Sequence, residues 1–241
     1  MTPEGRPDVA CTVTGVPAGL GFLPNGEAIV TDMHGRALIR CVDGVPSTYV
    51  DLSPLTGTID DMTMDGAGRA YVGDLGFDLK EGIKRGPYGR IVLVEPGHEP
   101  RIVARDLDFP NGIAISAVSS SLPRPMATAW RASTSAMTAR STSTPGSALF
   151  RAPDGVCFDR EGAVWVSLLD EESFVRVAPD GRILDRIVVP GRRGVACVLG
   201  GADRRTLFCI SMQRDPDAPP EQRSRSWVDS VVVETPGAGY P

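Results

Sequence analysis

This chain lacks most of the features that announce a function class. It has no excess of positive charge: 25 Lys and Arg against 30 Asp and Glu leave a net charge of -5 and a pI of about 5.1. A nucleic-acid partner would call for a basic face, so that class is set aside. No apolar run approaches the length that crosses a bilayer, so no membrane partner is expected. The start, Met1-Thr-Pro-Glu-Gly-Arg-Pro7, has no basic segment followed by an apolar one, and no secretory signal is read there. Cysteine is sparse: Cys11, Cys41, Cys157, Cys197 and Cys209 are an odd number with no Cys-x-x-Cys pair. Three of them lie in apolar, strand-like text, and the expectation is buried free thiols in a reducing cytoplasm. There is no Gly-x-Ser-x-Gly elbow, no Walker-type phosphate loop and no amphipathic helix of useful length. Histidine is nearly absent. His98 reads as a surface turn, and His34 as a loop residue that could alternatively face a central opening.

The sequence is rich in turns, with 27 Gly and 21 Pro in 241 residues, enough chain for one large all-β domain over 1–241. One five-residue phrase recurs: Ala18-Gly-Leu-Gly-Phe22, Asp60-Asp-Met-Thr-Met64, Asn111-Gly-Ile-Ala-Ile115, Asp154-Gly-Val-Cys-Phe158 and Ala196-Cys-Val-Leu-Gly200. The second members, Gly19, Asp61, Gly112, Gly155 and Cys197, are spaced by 42, 51, 43 and 42 residues. A period near 42 marks a β-propeller or another repeat array. Each copy opens an apolar strand, a Gly-containing hairpin turn and a second strand, as in Val156-Cys-Phe-Asp-Arg-Glu-Gly-Ala-Val-Trp-Val166. Third strands are expected at 37–42, 90–94 and 174–177, and fourth strands at 47–50, 101–104 and 183–188. Four short antiparallel strands per repeat make a propeller blade. Residues 227–234 read as one more strand, of the kind that often closes a propeller. Gly73-Asp-Leu-Gly-Phe-Asp78 opens a long insertion through Gly89, which accounts for the 51-residue spacing.

The window 116–150 departs from this grammar. No Asp or Glu occurs from Phe109 through Pro153, and Ser133-Thr-Ser-Ala-Met-Thr-Ala-Arg-Ser-Thr-Ser-Thr-Pro145 has no strand period. A low-complexity loop is one reading. The preferred one is a compensated frameshift across a repeat that should continue with strands, which sequencing of the coding DNA tests.

A radial array brings one position of every repeat towards a common axis, so Asp60, Asn111 and Asp154 are expected to meet. They offer carboxylate and amide oxygens only, which suits Ca²⁺, Mg²⁺ or Mn²⁺. A metal there could polarise a carbonyl and lower the pKa of bound water, with Asp154 as general base. The alternative for each residue alone is a plain turn, because Asn-Gly and Asp-Gly are common turn dipeptides. The near-identical phrases Phe109-Pro-Asn-Gly and Ala152-Pro-Asp-Gly favour a shared role. Phe77 is a candidate wall of a substrate pocket, with loop packing as its alternative.

The phrases Gly19-Leu-Gly-Phe-Leu-Pro-Asn-Gly26, Asp61-Met-Thr-Met-Asp-Gly-Ala-Gly-Arg-Ala-Tyr-Val-Gly73, Phe109-Pro-Asn-Gly112, Ala152-Pro-Asp-Gly-Val156 and Gly200-Gly-Ala-Asp-Arg-Arg-Thr-Leu-Phe208 resemble the senescence marker protein (regucalcin)/gluconolactonase family. The resemblance implies a six-bladed β-propeller, one divalent metal ion (Ca²⁺ first, with Zn²⁺, Mn²⁺ or Mg²⁺ as alternatives) and hydrolysis of sugar lactones or related esters. It makes Asn111 and Asp154 direct metal ligands and Asp154 also the catalytic base. Asp60 falls where the family usually has Asn, and becomes a substrate or ligand contact. The family's first ligand, a Glu in a Glu-Gly-Pro phrase, has no counterpart at the right spacing, and Glu4-Gly5-Arg6 is only an echo. About five repeats are present, one of them disrupted at 116–150, so the expectation is an incomplete propeller whose first blade is missing. An impaired lactone hydrolase and a catalytically inactive propeller acting as a binding or scaffold protein are then the two functional readings.

Overall fold

A computed structural model describes residues 8–84, 86–116, 126–131, 137–138, 149–150, 152–219 and 223–239. Glu4 and most of the window suspected of a frameshift lie outside the described residues. The chain is all-β and packs as two compact units, Met1–Leu107 and Asp108–Pro241.

The first unit holds two four-stranded antiparallel sheets, each a simple meander. One runs β1 (Pro17–Phe22), β2 (Ala28–Asp32), β3 (Ala37–Val42) and β4 (Val45–Asp51). The other runs β5 (Ile59–Met64), β6 (Ala70–Asp74), β7 (Gly89–Val94) and β8 (Arg101–Leu107). The expected insertion is the stretch between β6 and β7, with a single 3₁₀ turn at Leu79–Glu81. Alternating side chains of both sheets form one core, with Ile29, Leu38 and Leu52 packed with Ile59, Met62, Val72 and Val92.

The second unit starts with β9 (Pro110–Ser116), paired with β10 (Met126–Arg131), and the short pair β11 (Met137–Thr138) and β12 (Leu149–Phe150). Next comes a complete four-stranded meander: β13 (Pro153–Phe158), β14 (Val164–Leu168), β15 (Ser173–Val177) and β16 (Ile183–Val188). A three-stranded sheet follows, of β17 (Arg193–Gly200), β18 (Thr206–Arg214) and β19 (Ser224–Val232). The strand expected at 227–234 therefore pairs within its own sheet, from Thr206 opposite Val232 to Arg214 opposite Ser224. Trp165, Phe174, Leu199 and Leu207 pack these two sheets together. Repeated four-stranded meanders are propeller blades, and the fold class is a β-propeller. Among the described residues four sheets have three strands or more, two in each unit.

The hairpins share a side-chain device. Asp65 Oδ1 accepts the N–H groups of Ala67 and Arg69, both at 3.0 Å. Asp159 Oδ1 accepts those of Glu161 and Ala163, at 2.9 and 3.0 Å. Each aspartate thus closes its own turn, and the following Gly68 and Gly162 supply the positive φ of 77° and 78°. The outer oxygens anchor arginines, with Arg176 Nε 2.7 Å from Asp159 Oδ2.

Cys157, Cys197 and Cys209 are free and buried, as expected. The expectation fails for the other two cysteines, because Cys11 and Cys41 form a disulfide with Cα atoms 6.1 Å apart. The segment before β1 lies beside the half-buried end of β3, a pairing that no periodicity in the sequence records.

Candidate functional site

The recurring column owes its shape to the backbone. In β1 the pairing steps from Pro17–Asp32 to Leu20–Val30, so Ala18 and Gly19 together face one residue of β2. The same two-against-one bulge holds Asp60 and Asp61 between Ile59–Asp74 and Met62–Val72. It holds Asn111 and Gly112 between Pro110–Arg131 and Ile113–Ala129, and Asp154 and Gly155 between Pro153–Leu168 and Val156–Val166. The fifth copy differs, its register shift falling between Gly194 and Ala196. A bulge turns its side chains away from the strand's regular alternation, and bulges gather next to active sites.

The glycines allow neighbouring bulged strands to approach. A Cβ on Gly19 would collide with the Met62 backbone N, and one on Gly112 with the Asp154 carbonyl O. A Cβ on Gly155 would lie 2.7 Å from Ala196 Cα. Hydroxyls lock this approach. Thr31 Oγ1 accepts from Gly19 N at 2.6 Å and donates to the Asp60 carbonyl at 2.9 Å. Ser167 Oγ lies 2.9 Å from Gly155 O and 2.8 Å from Val195 O. Both hydroxyls are fully buried. Sequence reasoning passed over them because Thr and Ser are ordinary strand residues; only their shared place opposite the bulge marks them.

In the second unit β9 and β13 thus lie side by side with Asn111 and Asp154 in equivalent bulges. Both side chains are half-buried. Asn111 Oδ1 accepts the N–H of Gly112 at 3.0 Å. Both phrases enter through a residue with left-handed backbone just before the proline, Phe109 at φ 51° and Ala152 at φ 43°. A non-glycine residue held there costs of order 1–3 kcal/mol, and such strain gathers at functional sites.

Asp60 sits in the equivalent bulge of the first unit, half-buried. Burial, and secondarily the neighbouring Asp61 carboxylate, push its carboxyl up to about 7. Phe77 is buried in the insertion, its ring edge-on to Tyr88 with centroids 6.4 Å apart, and its carbonyl accepts the N–H of Thr58 at 2.9 Å. Asp74, fully buried, is a further residue sequence reasoning missed. It accepts from Gly57 N at 2.9 Å and Gly76 N at 3.0 Å and binds Arg90 Nε at 2.7 Å, an arrangement that shapes the loop holding Phe77. The column's last cysteine is inert: a hydrogen bond with Cys157, together with burial, raises the Cys197 thiol well above its ordinary range.

Among the described residues no three or more His, Cys, Asp and Glu are gathered as a metal-binding group. Asn111 and Asp154 nonetheless fit a hard divalent cation chemically. They are two oxygen donors, one charged, with no competing soft ligand between them in the column.

A 94-residue stretch is 33% identical to the 6-deoxy-6-sulfogluconolactonase of Pseudomonas putida, covering 37% of this chain and 31% of that protein, so the match spans about a third of the relative. The solved gluconolactonase of Xanthomonas campestris superposes with a TM-score of 0.62 at 23% identity, over 84% of this chain and 71% of that one. The calcium-binding regucalcin of Agrobacterium tumefaciens gives a TM-score of 0.55 at 16% identity, over 95% and 94%. At these identities the solved structures speak for the fold. The pattern of the SMP-30/Gluconolactonase/LRE-like region matches residues 1–213, and the chain therefore belongs to that family.

Proposed function

We propose that this protein is a metal-dependent hydrolase of sugar lactones or related esters. The observation that carries the reading is the pairing of Asn111 and Asp154 in equivalent bulges of adjoining strands, each entered through a strained residue before proline. Family membership supports a lactonase-type activity. A bound divalent cation, Ca²⁺ first and Zn²⁺, Mn²⁺ or Mg²⁺ as alternatives, would polarise the lactone carbonyl and acidify a water. Asn111 and Asp154 would hold it. Asp154 orients the attacking water and takes its proton, the role of a general base. The bond between the carbonyl carbon and the ring oxygen then breaks, the ring oxygen takes that proton back from Asp154 to become a hydroxyl, and the sugar acid is released. Asp60 and Phe77 stay in the proposal as substrate-contacting residues on the sequence grounds given above.

The test is opening of glucono-lactone by the purified chain, followed by acid release, with chelator and with each cation added back. Turnover restored by a divalent cation and abolished in Asp154→Ala is the expected result. Absence of turnover with all four cations removes the enzyme reading. It would leave the second one, a catalytically inactive propeller that binds or scaffolds. The proposed compartment is the cytoplasm, on the three buried free thiols. A Cys11–Cys41 bond that stays oxidised in freshly quenched cells would contradict it.

A further inference from the structure

The sheet β17–β19 ends differently from the four-stranded sheets. Their last strands, β4, β8 and β16, run six or seven residues. Each meets its neighbour through a register shift. Short length and irregular pairing blunt an open edge. β19 has neither safeguard. Its nine residues, Ser224–Val232, contain no proline and pair with β18 without a shift. Among the described residues β18 is its one neighbour in the sheet, so its outer row of backbone N–H and C=O groups lies at the edge. Val228 and Val232 stand exposed there.

One face of this strand carries an ordered row. Arg225, Trp227 and Asp229 occur at every second position and so share that face. The guanidinium groups of Arg192 and Arg225 lie 5.3 and 5.6 Å from the Trp227 ring centre. Arg192 Nη1 also donates to Asp229 Oδ2 at 2.7 Å, and the Asp229 side chain stays 44% exposed. The row is therefore held in place and still open to a partner.

An added antiparallel strand would pair the open edge, and the row says which strand fits. Opposed residues of an antiparallel pair point to the same face. Two identical strands related by a two-fold axis perpendicular to the sheet must then centre on one residue that faces its own copy. Centring on Arg225 or on Asp229 opposes like charges. Centring on Ser226 pairs only Ser224–Val228. Centring on Val228 sets Arg225 opposite Val231 and Asp229 opposite Trp227. Centring on Trp227 sets Arg225 opposite Asp229 twice, over Ser224–Ser230, with Trp227 against its copy. We propose that β19 is an interaction edge for a second copy of this chain, joined antiparallel about Trp227 into one continuous sheet. An edge contact this narrow falls below the size of a standard interface, so the dimer dissociates in the micromolar range or weaker. The proposal does not depend on the hydrolase reading, because it uses none of the same residues.

Sedimentation velocity of the full chain, from micromolar concentrations up to about 1 mM, is the test. The wild type should pass from monomer to dimer. Arg225→Glu sets like charges opposite each other at two places and should weaken association about tenfold or more. Asp229→Arg alone should do the same. An equimolar mixture of the two variants should dimerise again, because each then meets the opposite charge on the other. If Asp229→Arg fails to fold without its Arg192 contact, wild type against Arg225→Glu decides alone. A wild type that stays monomeric at the highest concentration overturns the proposal. So does a dimer that Arg225→Glu leaves unchanged, a mixture of folded variants that stays monomeric, or assembly that continues past the dimer.

Discussion

The sheet β1–β4 and the sheet β13–β16 are built alike and differ at one chemical position. Both start with a two-against-one bulge, both place a glycine second in it, and both lock it with a buried hydroxyl, Thr31 in one and Ser167 in the other. The first bulge residue is Ala18 in one sheet and Asp154 in the other. Packing therefore explains Gly19, Gly155, Thr31 and Ser167 in both sheets. It does not explain Asp154, because Ala18 meets the same backbone requirement without a carboxylate. On the function proposed above, the half-buried carboxylate of Asp154 is the chemical difference between the two sheets.

Replacing Asp154 with alanine is the most forceful test of that contrast. If the carboxylate is the base, Asp154→Ala lowers kcat by about 10²–10⁴-fold. The melting temperature should barely change, since the variant copies the residue β1 already has. A collapse of stability instead would make Asp154 structural and erase the difference between the two sheets.

Asp60 provides an intermediate case, a carboxylate in the same bulge that packing raises to about 7. The folded state holds this proton more tightly than the unfolded chain, whose value is 3.8. Well below 3.8, at about pH 2.5, both states are protonated and Asp60 imposes no penalty. As the pH rises to about 7 the unfolded state ionises first, so stability falls, and above 7 the penalty is complete. Asp60→Asn should thus stabilise the protein at pH 8 by roughly 2–4 kcal/mol and leave its stability at about pH 2.5 unchanged. Urea melts at the two pH values measure this. An equal effect at both would show that the Asp60 carboxyl is not perturbed.

Much of this fold was legible in the sequence, for a physical reason. The hairpin turns need Asp and Gly at fixed offsets, so Asp65–Gly68 and Asp159–Gly162 announce their loops; β8 and β13 alternate in burial, while β6 and β14 are buried throughout. The third strand at Ala37–Val42 and the fourth at Ile183–Val188 fall where the pattern puts them. The candidate site was legible only as a column of residue types. That the column is a bulge was hidden, because a bulge is a property of two strands and leaves one strand's composition unchanged. Thr31, Ser167 and Asp74 were hidden for the same reason, since, apart from Gly76 beside Asp74, their partners lie 12 to 29 residues away in the chain. The Cys11–Cys41 pair spans 30 residues and follows no repeat. Phe77 was legible as an insertion residue, and its packing against Tyr88 was not.

The glycines test the shared half of the comparison. Gly155→Ala sets a methyl 2.7 Å from Ala196 Cα, a backbone atom that cannot turn aside. Gly19→Ala drives its methyl into the Met62 backbone N. Each should cost about 1–3 kcal/mol by overpacking, and the two costs should be similar. Chemical denaturation reads both, and a Gly155 variant as stable as wild type would mean that the strands can part freely.

The hydroxyls give the smallest effect and the finest discrimination. Thr31 accepts the Gly19 N–H and also donates to the Asp60 carbonyl, so Thr31→Val strands a buried donor as well as an acceptor. Ser167 serves only carbonyls, those of Gly155 and Val195, with one proton between them. A carbonyl that loses one partner gives up less than an N–H that loses its only one. Thr31→Val should therefore cost about 2 kcal/mol and Ser167→Ala about 1 kcal/mol. Equal losses in paired urea titrations would mean that the Gly19 N–H finds water when the hydroxyl is gone, and that the two sheets are locked in the same way after all.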